Sequence, residues 1–364
     1  MILVSILGEF HSSVFPVFYE FHRRIKTHII VHDGGFRRRK NDRAILESLE
    51  KFSRKYGLGV ETFEYVIDED SLVSIDKLAA NLLGMCEEKG EIFINATDGL
   101  SNIGILLAHK TLEHGVHFIA YDMHENSYNL ITKNSMRHVQ MHSSLGVVDH
   151  LLLKGFEVEH VEDKEFALRH KKSIVALFEE HLEEFNKMKI DLFNRKLRPQ
   201  KYPHAYRVIK RLRLDIVRHY KEITGGLFEF YVYFLLNDLG FDDIEVGVRL
   251  KQPFGQNGFV GNEFDILAMH QNHLHIIECK FTKNVKLSEL VYKYAALVNQ
   301  LDDEGKVLLL TDKKNYKPNL VKDKSGDLEH HKRAGLSRIM IRGSLFQHKE
   351  EFAREVGAFF RLEG

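Results

Sequence analysis

The chain has 364 residues, with 52 Lys or Arg against 52 Asp or Glu, so its formal net charge is zero. This length predicts two or three domains, and 44% hydrophobic with 29% charged residues is typical of a globular protein. The neutral balance excludes binding of nucleic acid through overall charge, so any such contact must come from a local basic patch.

The number of cysteines and the hydropathy of the sequence exclude further classes of protein. The two cysteines, Cys86 and Cys279, exclude a disulfide framework and give no zinc-ligand spacing. Residues 1–10 are apolar for only seven positions without a basic lead, which favours a first strand over a signal peptide. No stretch approaches the roughly 20 apolar residues of a membrane span. We expect a cytoplasmic protein with no membrane contact.

Residues 1–132 alternate β-branched runs with helical stretches, the order of an α/β domain with a largely parallel sheet. The predicted strands are Ile2–Leu7, Thr27–His32, Val60–Val66, Glu91–Asn95 and Val116–Tyr121. The predicted helices are Val14–Arg24, Arg39–Tyr56, Ser74–Glu88 and Asn102–His114. Asp122 with Ser127–Thr132 could add an antiparallel edge hairpin. These elements predict a Rossmann-like domain.

Small, hydroxyl and amide residues follow several of these strands. Ligands of such sheets bind beyond the carboxyl ends of the strands, where helix N-termini offer backbone N–H groups to anions. The candidate ligand-binding residues are Ser12, Ser13, Asp33, Gly34, Thr97, Asp98, Gly99, Ser101 and Asn102. No loop has a Walker A or Gly-x-Gly-x-x-Gly pattern, which disfavours ATP and NAD. The alternative is that Gly and Asp only make tight strand-to-helix turns.

The loop Thr97-Asp98-Gly99-Leu100-Ser101, after a short strand and before a helix, resembles that of the CARF domain. CARF domains sense cyclic oligoadenylates in type III CRISPR immunity, where this loop reads Thr-Gly-Gly-Thr-Lys. Here Asp98 replaces a glycine and the lysine is missing. The resemblance implies a cyclic oligoadenylate as the ligand.

Residues 133–222 are predicted to form a largely helical connector. Leu145–Leu153 predicts a short helix, 155–158 a brief strand, and Lys164–Lys189 one long helix. Residues 195–221 then contain ten Lys or Arg and one acid, Asp215, with three interleaved tyrosines, Tyr202, Tyr206 and Tyr220. Such a segment could bind phosphates and stack on unpaired bases, or it could simply be a solvated helix face.

Residues 223–364 are predicted to form a second domain, beginning with a helix over 227–239 that contains Glu229 and a strand over 244–250. Two further strands, 261–269 and 274–280, are joined by four polar residues, a length that closes a hairpin. Pairing of Met269 with Leu274 would place Asp265 opposite Glu278 and Glu263 opposite Lys280. Ile266 and Ile277 would then pair on the other, buried face.

Two clustered carboxylates in an apolar setting repel each other unless a cation lies between them, and hard oxygen ligands select Mg²⁺ or Mn²⁺. Such a metal suits phosphodiester hydrolysis, with Lys280 orienting the attacking water or stabilising the developing charge. The alternative is a surface hairpin with an ordinary salt bridge.

A helix over 287–301 follows, then strands over 306–311 and 338–341 and a helix over 345–360. Lys293, Tyr294 and Gln300 lie on the first of these helices beside the predicted site and could contact substrate, although ordinary roles at the helix surface are favoured.

Asp265 with Glu278-Cys279-Lys280 resembles the PD-(D/E)xK nuclease motif, with Phe264 in place of the proline. The element order helix, three strands, helix, strand matches the αβββαβ core of that superfamily. The resemblance implies that Glu229, on the first helix, completes the metal site with Asp265 and Glu278, and that Glu263 could be an outer partner of Lys280.

The whole chain resembles the CARF-containing ancillary nucleases of type III CRISPR systems. This resemblance implies a homodimer that binds a cyclic oligoadenylate, most simply cyclic tetra-adenylate because a two-fold site suits even symmetry, and then cleaves DNA or RNA. Two alternatives stay open: a constitutive restriction or repair nuclease, and a cyclic-nucleotide sensor that binds nucleic acid through an inactive nuclease fold.

Overall fold

The computed structural model describes most of the chain. The described residues are 1–8, 13–34, 39–68, 71–97, 102–216, 218–251, 262–280, 287–311, 335, 337–343 and 349–362, without the side chains of 39–44, 87–89, 102, 287 and 288. The described residues divide into two compact units, the first running from Met1 to Glu157 and the second beginning at Val158.

The N-terminal unit contains a seven-stranded sheet and five α-helices in its described part. Its strands are β1 (Ile2–Ile6), β2 (Thr27–Asp33), β3 (Glu61–Ile67), β4 (Ile92–Asn95), β5 (His117–Asp122), β6 (Ser127–Thr132) and β7 (Ser135–Gln140). Its helices are α1 (Val14–Phe21), α2 (Arg39–Lys55), α3 (Leu72–Lys89), α4 (Asn102–Thr111) and α5 (Val147–Leu153).

The strand order of this sheet is β3-β2-β1-β4-β5-β6-β7. The first five strands in this order are parallel, and β6 and β7 extend the edge as antiparallel strands. Every residue of β1 and β4 is buried, because helices cover both faces of a parallel sheet. The chain moves from β1 towards β2 and from β4 towards β5, so a topological switch point lies between β1 and β4.

The described part of the C-terminal unit contains a six-stranded sheet with the order β13-β12-β11-β10-β9-β8. Its strands are β8 (Glu157–His160), β9 (Asp243–Lys251), β10 (Asn262–His270), β11 (His273–Lys280), β12 (Val307–Thr311) and β13 (Ile339–Arg342). Its helices are α6 (Lys164–Arg169), α7 (Lys171–Glu179), α8 (Leu182–Phe193), α9 (Pro203–Arg211), α10 (Leu227–Asn237), α11 (Leu287–Leu301) and α12 (Lys349–Phe360).

Helix α10 is the centre of the C-terminal core. Eight of its eleven residues are buried, so it is apolar almost all round, and Tyr231 and Phe228 pack against Phe178 of α7. The order α10, β9, β10, β11, α11, β12 confirms the predicted αβββαβ core.

The region predicted as a separate connector over 133–222 is divided between the two units. Residues up to 157 belong to the first unit, where β7 pairs with β6, and the rest belong to the second, where β8 joins the sheet. The single long helix predicted over 164–189 is three helices, because the backbone leaves helical geometry at His170 and between Glu180 and His181. We found no helix in the described part that is long and apolar enough to cross a membrane.

Candidate functional site

The hairpin β10–β11 has the predicted register but a tighter turn. Met269 pairs with Leu274 and Ile266 with Ile277, and both isoleucines are fully buried as predicted. The turn is not the predicted four-residue link, because His270 pairs with His273 and leaves only Gln271 and Asn272 between the strands. Both turn residues have positive φ, the geometry that follows the right-handed twist of a hairpin.

This register places the two acids of the motif on the same side of the hairpin, next to Lys280. The ammonium group of Lys280 contacts Oε1 of Glu278 and lies 3.5 Å from Oδ2 of Asp265. The backbone N–H of Cys279 donates to Oδ2 of Asp265 at 2.7 Å, which fixes that carboxylate. The side chain of Glu278 is 3% exposed, and its second oxygen, Oε2, has no hydrogen-bond partner.

Glu229 approaches the same site from α10. Burial, followed by the negative charge of Asp265, raises the pKa of Glu229 to about 8. Burial and the charge of Glu278 raise the pKa of Asp265 to about 7. Burial alone would lower the pKa of Lys280, but the two carboxylates outweigh it and the pKa is raised. The structure therefore brings together all four predicted catalytic residues.

The predicted link between Glu263 and Lys280 is wrong. Glu263 is exposed and pairs across β9–β10 with Arg249, at 3.6 Å, while the ion pairs of Lys280 are those with Asp265 and Glu278. The side chain of Lys280 thus lies towards the two motif acids and not towards the outer end of β10.

Two further residues lie near the site, and the sequence analysis considered only Tyr294, as a substrate contact or a surface residue. Tyr294, expected at the surface of α11, is fully buried, and burial with the charge of Glu278 raises its pKa. The hydroxyl of Tyr294 accepts a hydrogen bond from Lys293 at 3.2 Å. The side chain of Glu162 lies where a Cβ of Gly247 would be, and Gly247 is the β9 residue at the level of Asp265. The charge of Glu162 also raises the pKa of Glu229. No local pattern marks Glu162, which lies between β8 and α6.

Whether these residues suit a divalent cation can be judged from their chemistry. Glu278 has an orphan buried oxygen, and Asp265 and Glu229 retain protons near neutral pH because their charges repel in a buried setting. As they stand, no three His, Cys, Asp or Glu side chains of the described residues form a ready metal site. The Lys280 ammonium now occupies the place beside both motif acids, so a cation would enter as that ammonium moves aside. The donor set fits a hard divalent cation.

Two of the predicted ligand-binding residues, Ser13 and Thr97, lie at the switch point of the N-terminal sheet. The buried amide of Asn95, at the end of β4, donates to the hydroxyl of Ser13 at 3.3 Å, and its oxygen accepts from the hydroxyl of Thr97 at 2.7 Å. Thr97 in turn accepts from the backbone N–H of Tyr121, at 2.8 Å. Asn95 was not among the predicted site residues, yet it joins the segments that follow β1 and β4.

The other predicted ligand residues are placed only in part. Asp33 and Gly34 lie at the end of β2, where the N–H of Gly34 donates to Ile67 at 3.1 Å. Ser12, Asp98, Gly99, Ser101 and the side chain of Asn102 lie outside the described residues.

The basic segment 195–221 forms α9 and the turns on either side of it. All ten of its Lys and Arg side chains are exposed. Tyr202 is not available for base stacking, because it is buried and donates to Asp191 at 2.7 Å. Tyr206 and Tyr220 are half-buried, and the ammonium of Lys210 lies 5.8 Å from the ring centre of Tyr206.

Several solved structures share the fold of this protein. The fold is similar to that of protein VC1899 from Vibrio cholerae, with a TM-score of 0.72 and 15% identity over 99% of this chain and 98% of that one. It is also similar to Can2 from Sulfobacillus thermosulfidooxidans in complex with cyclic tetra-adenylate, with a TM-score of 0.67 and 14% identity over 98% of each chain. The predicted fold, a Rossmann-like domain followed by a domain with an αβββαβ core, is confirmed.

A third similar structure is a type III CRISPR defence DNA nuclease activated by cyclic oligoadenylate. Its TM-score is 0.54, with 16% identity over 85% of this chain and 45% of that chain. Residues 217–324 match the family model of the Card1-like endonuclease domain. The chain therefore contains an endonuclease domain, as predicted, and Glu229, Asp265, Glu278 and Lys280 lie within it. No curated protein matches the sequence significantly.

Proposed function

We propose that this protein is a metal-dependent nuclease of type III CRISPR antiviral defence that cleaves DNA or RNA when a cyclic oligoadenylate binds its N-terminal unit. The observation that supports this most strongly is the convergence of Asp265, Glu278, Lys280 and Glu229 within the Card1-like endonuclease domain. A salt bridge for stability alone would not require two further carboxyls with raised pKa values beside it.

Asp265, Glu278 and Glu229 would hold Mn²⁺ or Mg²⁺, with the orphan oxygen of Glu278 and the fixed carboxylate of Asp265 as ligands. When bound, the cation polarises the scissile phosphate and lowers the pKa of the attacking water. The Cys279 amide keeps Asp265 oriented, and the burial of Glu278 excludes competing water from its carboxylate. Both features reduce the reorganisation that the reaction requires.

Lys280 supplies the positive charge of the site. In the metal-free arrangement, its ammonium pairs with both Asp265 and Glu278. Once a cation replaces it there, the ammonium is available to orient the water and to stabilise the negative charge that develops on the phosphate. Its raised pKa keeps it protonated throughout the neutral range.

The proposed activator is cyclic tetra-adenylate, the ligand of the similar Can2 structure. It would bind at the switch point, beyond the ends of β1 and β4, near Ser13 and Thr97, with Asp33, Gly34 and the residues at 12, 98, 99, 101 and 102 around it. A homodimer would give the even-symmetry ring a two-fold site. By linkage, the ring activates only if it binds the cleavage-competent arrangement more tightly.

Cleavage by site variants tests the nuclease assignment. Asp265→Asn, Glu278→Gln and Lys280→Ala should each lower Mn²⁺-dependent cleavage of labelled nucleic acid by about 10²–10⁴-fold, the usual cost of losing a charge-stabilising or acid–base group. Glu263→Gln is the matched control, because Glu263 is an exposed acid of the same strand that pairs with Arg249. Parental rates in Asp265→Asn or Lys280→Ala would show that the assignment is wrong.

A further inference from the structure

An open cleft of about 810 Å³ lies in the C-terminal unit, and none of the residues proposed for catalysis lines it. Its walls are Leu192, Phe193, Arg195, Leu197, Ile216 and Tyr220. Five of these are aliphatic or aromatic side chains, which come from the end of α8, the turn that follows it, and the stretch after α9. Phe193 is 73% exposed at the surface. A large aromatic ring left in solvent beside an apolar cleft is characteristic of a binding surface.

Hydrogen bonds from backbone N–H groups stabilise both walls of the cleft. On one side, α8 ends with Arg195 in a left-handed conformation, φ 56°, and the N–H of Lys196 donates to Asp191 at 2.8 Å. On the other side, a carboxylate oxygen of Asp215 accepts from the N–H of Arg218 at 2.9 Å, and the carbonyl of Asp215 accepts from the N–H of His219 at 2.8 Å. The cleft is therefore formed by ordered turns and does not depend on side-chain packing alone.

The segment 195–221, which supplies four of the six lining residues of the cleft, is strongly basic. Residues 195–221 contain ten Lys or Arg and only one acid, Asp215, whose carboxylate caps the turn at Arg218. All ten cations are exposed, and within the described part of the chain none of them forms an ion pair, whereas Lys187 on α8 pairs with Glu183 at 2.8 Å. Ten exposed and uncompensated cations favour a polyanionic occupant.

We propose that this cleft binds an unpaired base of a single-stranded nucleic acid, with Phe193 and Tyr220 as stacking partners and the basic segment along the phosphates. Aromatic rings within a positively charged groove are the usual means of holding single strands without sequence preference. A second copy of this chain would bring two sets of ten like charges together, which disfavours self-association through this surface. The inference rests on the proposed function for the strand's role as substrate.

The chain runs directly from the cleft into α10, the helix that contains Glu229. Tyr220 is followed by a π-helical turn, Glu222–Gly226, which runs into α10. The hydroxyl of Thr224 donates to the carbonyl of Tyr220 at 2.8 Å, and a Cβ added to Gly225 would lie 3.7 Å from Oε1 of Glu229. A base held against Tyr220 is thereby anchored to the segment that positions Glu229. The cleft would fix one nucleotide of the strand while another is cleaved.

The test is binding of a labelled single-stranded oligonucleotide to the full chain in EDTA, measured by fluorescence anisotropy, beside an oligonucleotide of the same length with abasic sites. We expect Phe193→Ala and Tyr220→Ala to weaken binding of the base-containing strand about tenfold each and to leave the abasic strand nearly unaffected. Phe63→Ala, at an aromatic residue that is 51% exposed in the other unit, is the matched control.

Variants that reverse a charge give an independent test of the cleft. Arg195→Glu, at the wall of the cleft, should weaken both strands and reduce the salt dependence of binding, whereas Lys187→Glu, on the paired face of α8, should change little. Equal weakening of both strands by Phe193→Ala and Tyr220→Ala, or no weakening at all, would overturn the base-binding cleft. So would dissociation of a dimer by Phe193→Ala in gel filtration.

These outcomes separate the cleft from the proposed function. Base-dependent binding in a wild-type protein that cleaves no nucleic acid would remove the nuclease proposal and leave the cleft. Normal cleavage, with no effect of Phe193→Ala or Tyr220→Ala on binding of either strand, would remove the cleft proposal and leave the nuclease proposal. Because Phe193 is 73% exposed, its replacement should leave the melting temperature unchanged, which excludes misfolding as a cause.

Discussion

At the scale of single residues, the catalytic site is defined by the repulsion of its own acids. Glu229, Asp265 and Glu278 are held near one ammonium group, and burial denies them the water that would otherwise screen their charges. Protons on Asp265 and Glu229 relieve that repulsion when no metal is present. A divalent cation would relieve it in their place, so metal affinity and protonation must compete.

This competition predicts how metal stabilisation depends on pH. The pKa values of Asp265 and Glu229 are raised to about 7 and about 8, from about 4 for an unfolded carboxyl. The folded protein therefore binds more protons than the unfolded chain across that interval. Their contribution to stability is complete below about pH 4 and is lost as the pH rises through 7 and 8.

Accordingly, we expect the increase in melting temperature caused by Mn²⁺ to be larger at pH 8.5 than at pH 6, as measured by scanning calorimetry against an EDTA control. Asp265→Asn together with Glu229→Gln should raise the melting temperature of the metal-free protein at pH 8.5 and remove most of the response to Mn²⁺. Glu263→Gln should retain the response. A Mn²⁺ effect that is equal at both pH values, or that persists in the double variant, would contradict this account.

In the N-terminal unit, the residue that joins the candidate ligand-binding segments is Asn95. Its buried amide satisfies the hydroxyls of Ser13 and Thr97, and so it fixes the segments after β1 and β4 relative to each other. Asn95→Asp keeps the acceptor for Thr97 but removes the donor to Ser13. We predict that this change weakens binding of cyclic tetra-adenylate about tenfold or more in isothermal titration, since a lost buried hydrogen bond costs about 1–3 kcal/mol.

The matched control is Asn81→Asp, because Asn81 is an exposed amide of the same unit whose hydrogen bond, to Tyr65, is remote from the switch point. An unchanged affinity in Asn95→Asp would mean that the two segments bind the ligand independently of Asn95.

At the scale of elements, most strands and helices follow directly from the sequence, because their residues alternate or repeat with buried faces. The register of β10 and β11 was predictable for this reason, and it placed Asp265 and Glu278 together. Strand β7 was not predicted, and the brief strand predicted over 155–158 was not expected to join a sheet, because all side chains of β7 and β8 are exposed or half-buried and show no apolar face. Glu229 was identified only through the resemblance. Asn95 and Glu162 were missed because each contacts a residue distant in sequence, Ser13 for Asn95 and Gly247 for Glu162.

Strand β9 has one position where glycine is required. Gly247 has φ +60°, and an added Cβ would collide with the side chain of Glu162, whose backbone N–H donates to Val246 at 2.8 Å. Gly247→Ala should lower the free energy of unfolding by about 1–3 kcal/mol, from the left-handed backbone together with displacement of Glu162. The measurement is urea unfolding.

Gly240→Ala separates the two causes. Gly240 has φ +91° but nothing within 4 Å of an added Cβ, so its replacement tests the backbone alone. Glu162→Ala in the Gly247→Ala background should recover part of the loss. Equal losses at Gly240 and Gly247, with no recovery, would show that Glu162 does not pack against β9 as described.

At the scale of the whole molecule, the chain contains two units with different chemistry. The first has a switch point at which two strand ends are joined by Asn95, and the second has the buried acids and ammonium of an endonuclease domain. Each unit has its own hydrophobic core. If the first unit senses a ligand and the second cleaves, binding at the switch point must change the fraction of molecules that are competent for cleavage.

The most direct test is the initial rate of cleavage of labelled single-stranded DNA, supercoiled plasmid and RNA with Mn²⁺, with and without cyclic tetra-adenylate, using Asp265→Asn as the inactive reference. We predict cleavage only when the ring is present, of at least one of these substrates, and none by Asp265→Asn. An equal rate without the ring would contradict the sensor role of the N-terminal unit. Cleavage of none of the substrates under any condition would contradict the nuclease itself.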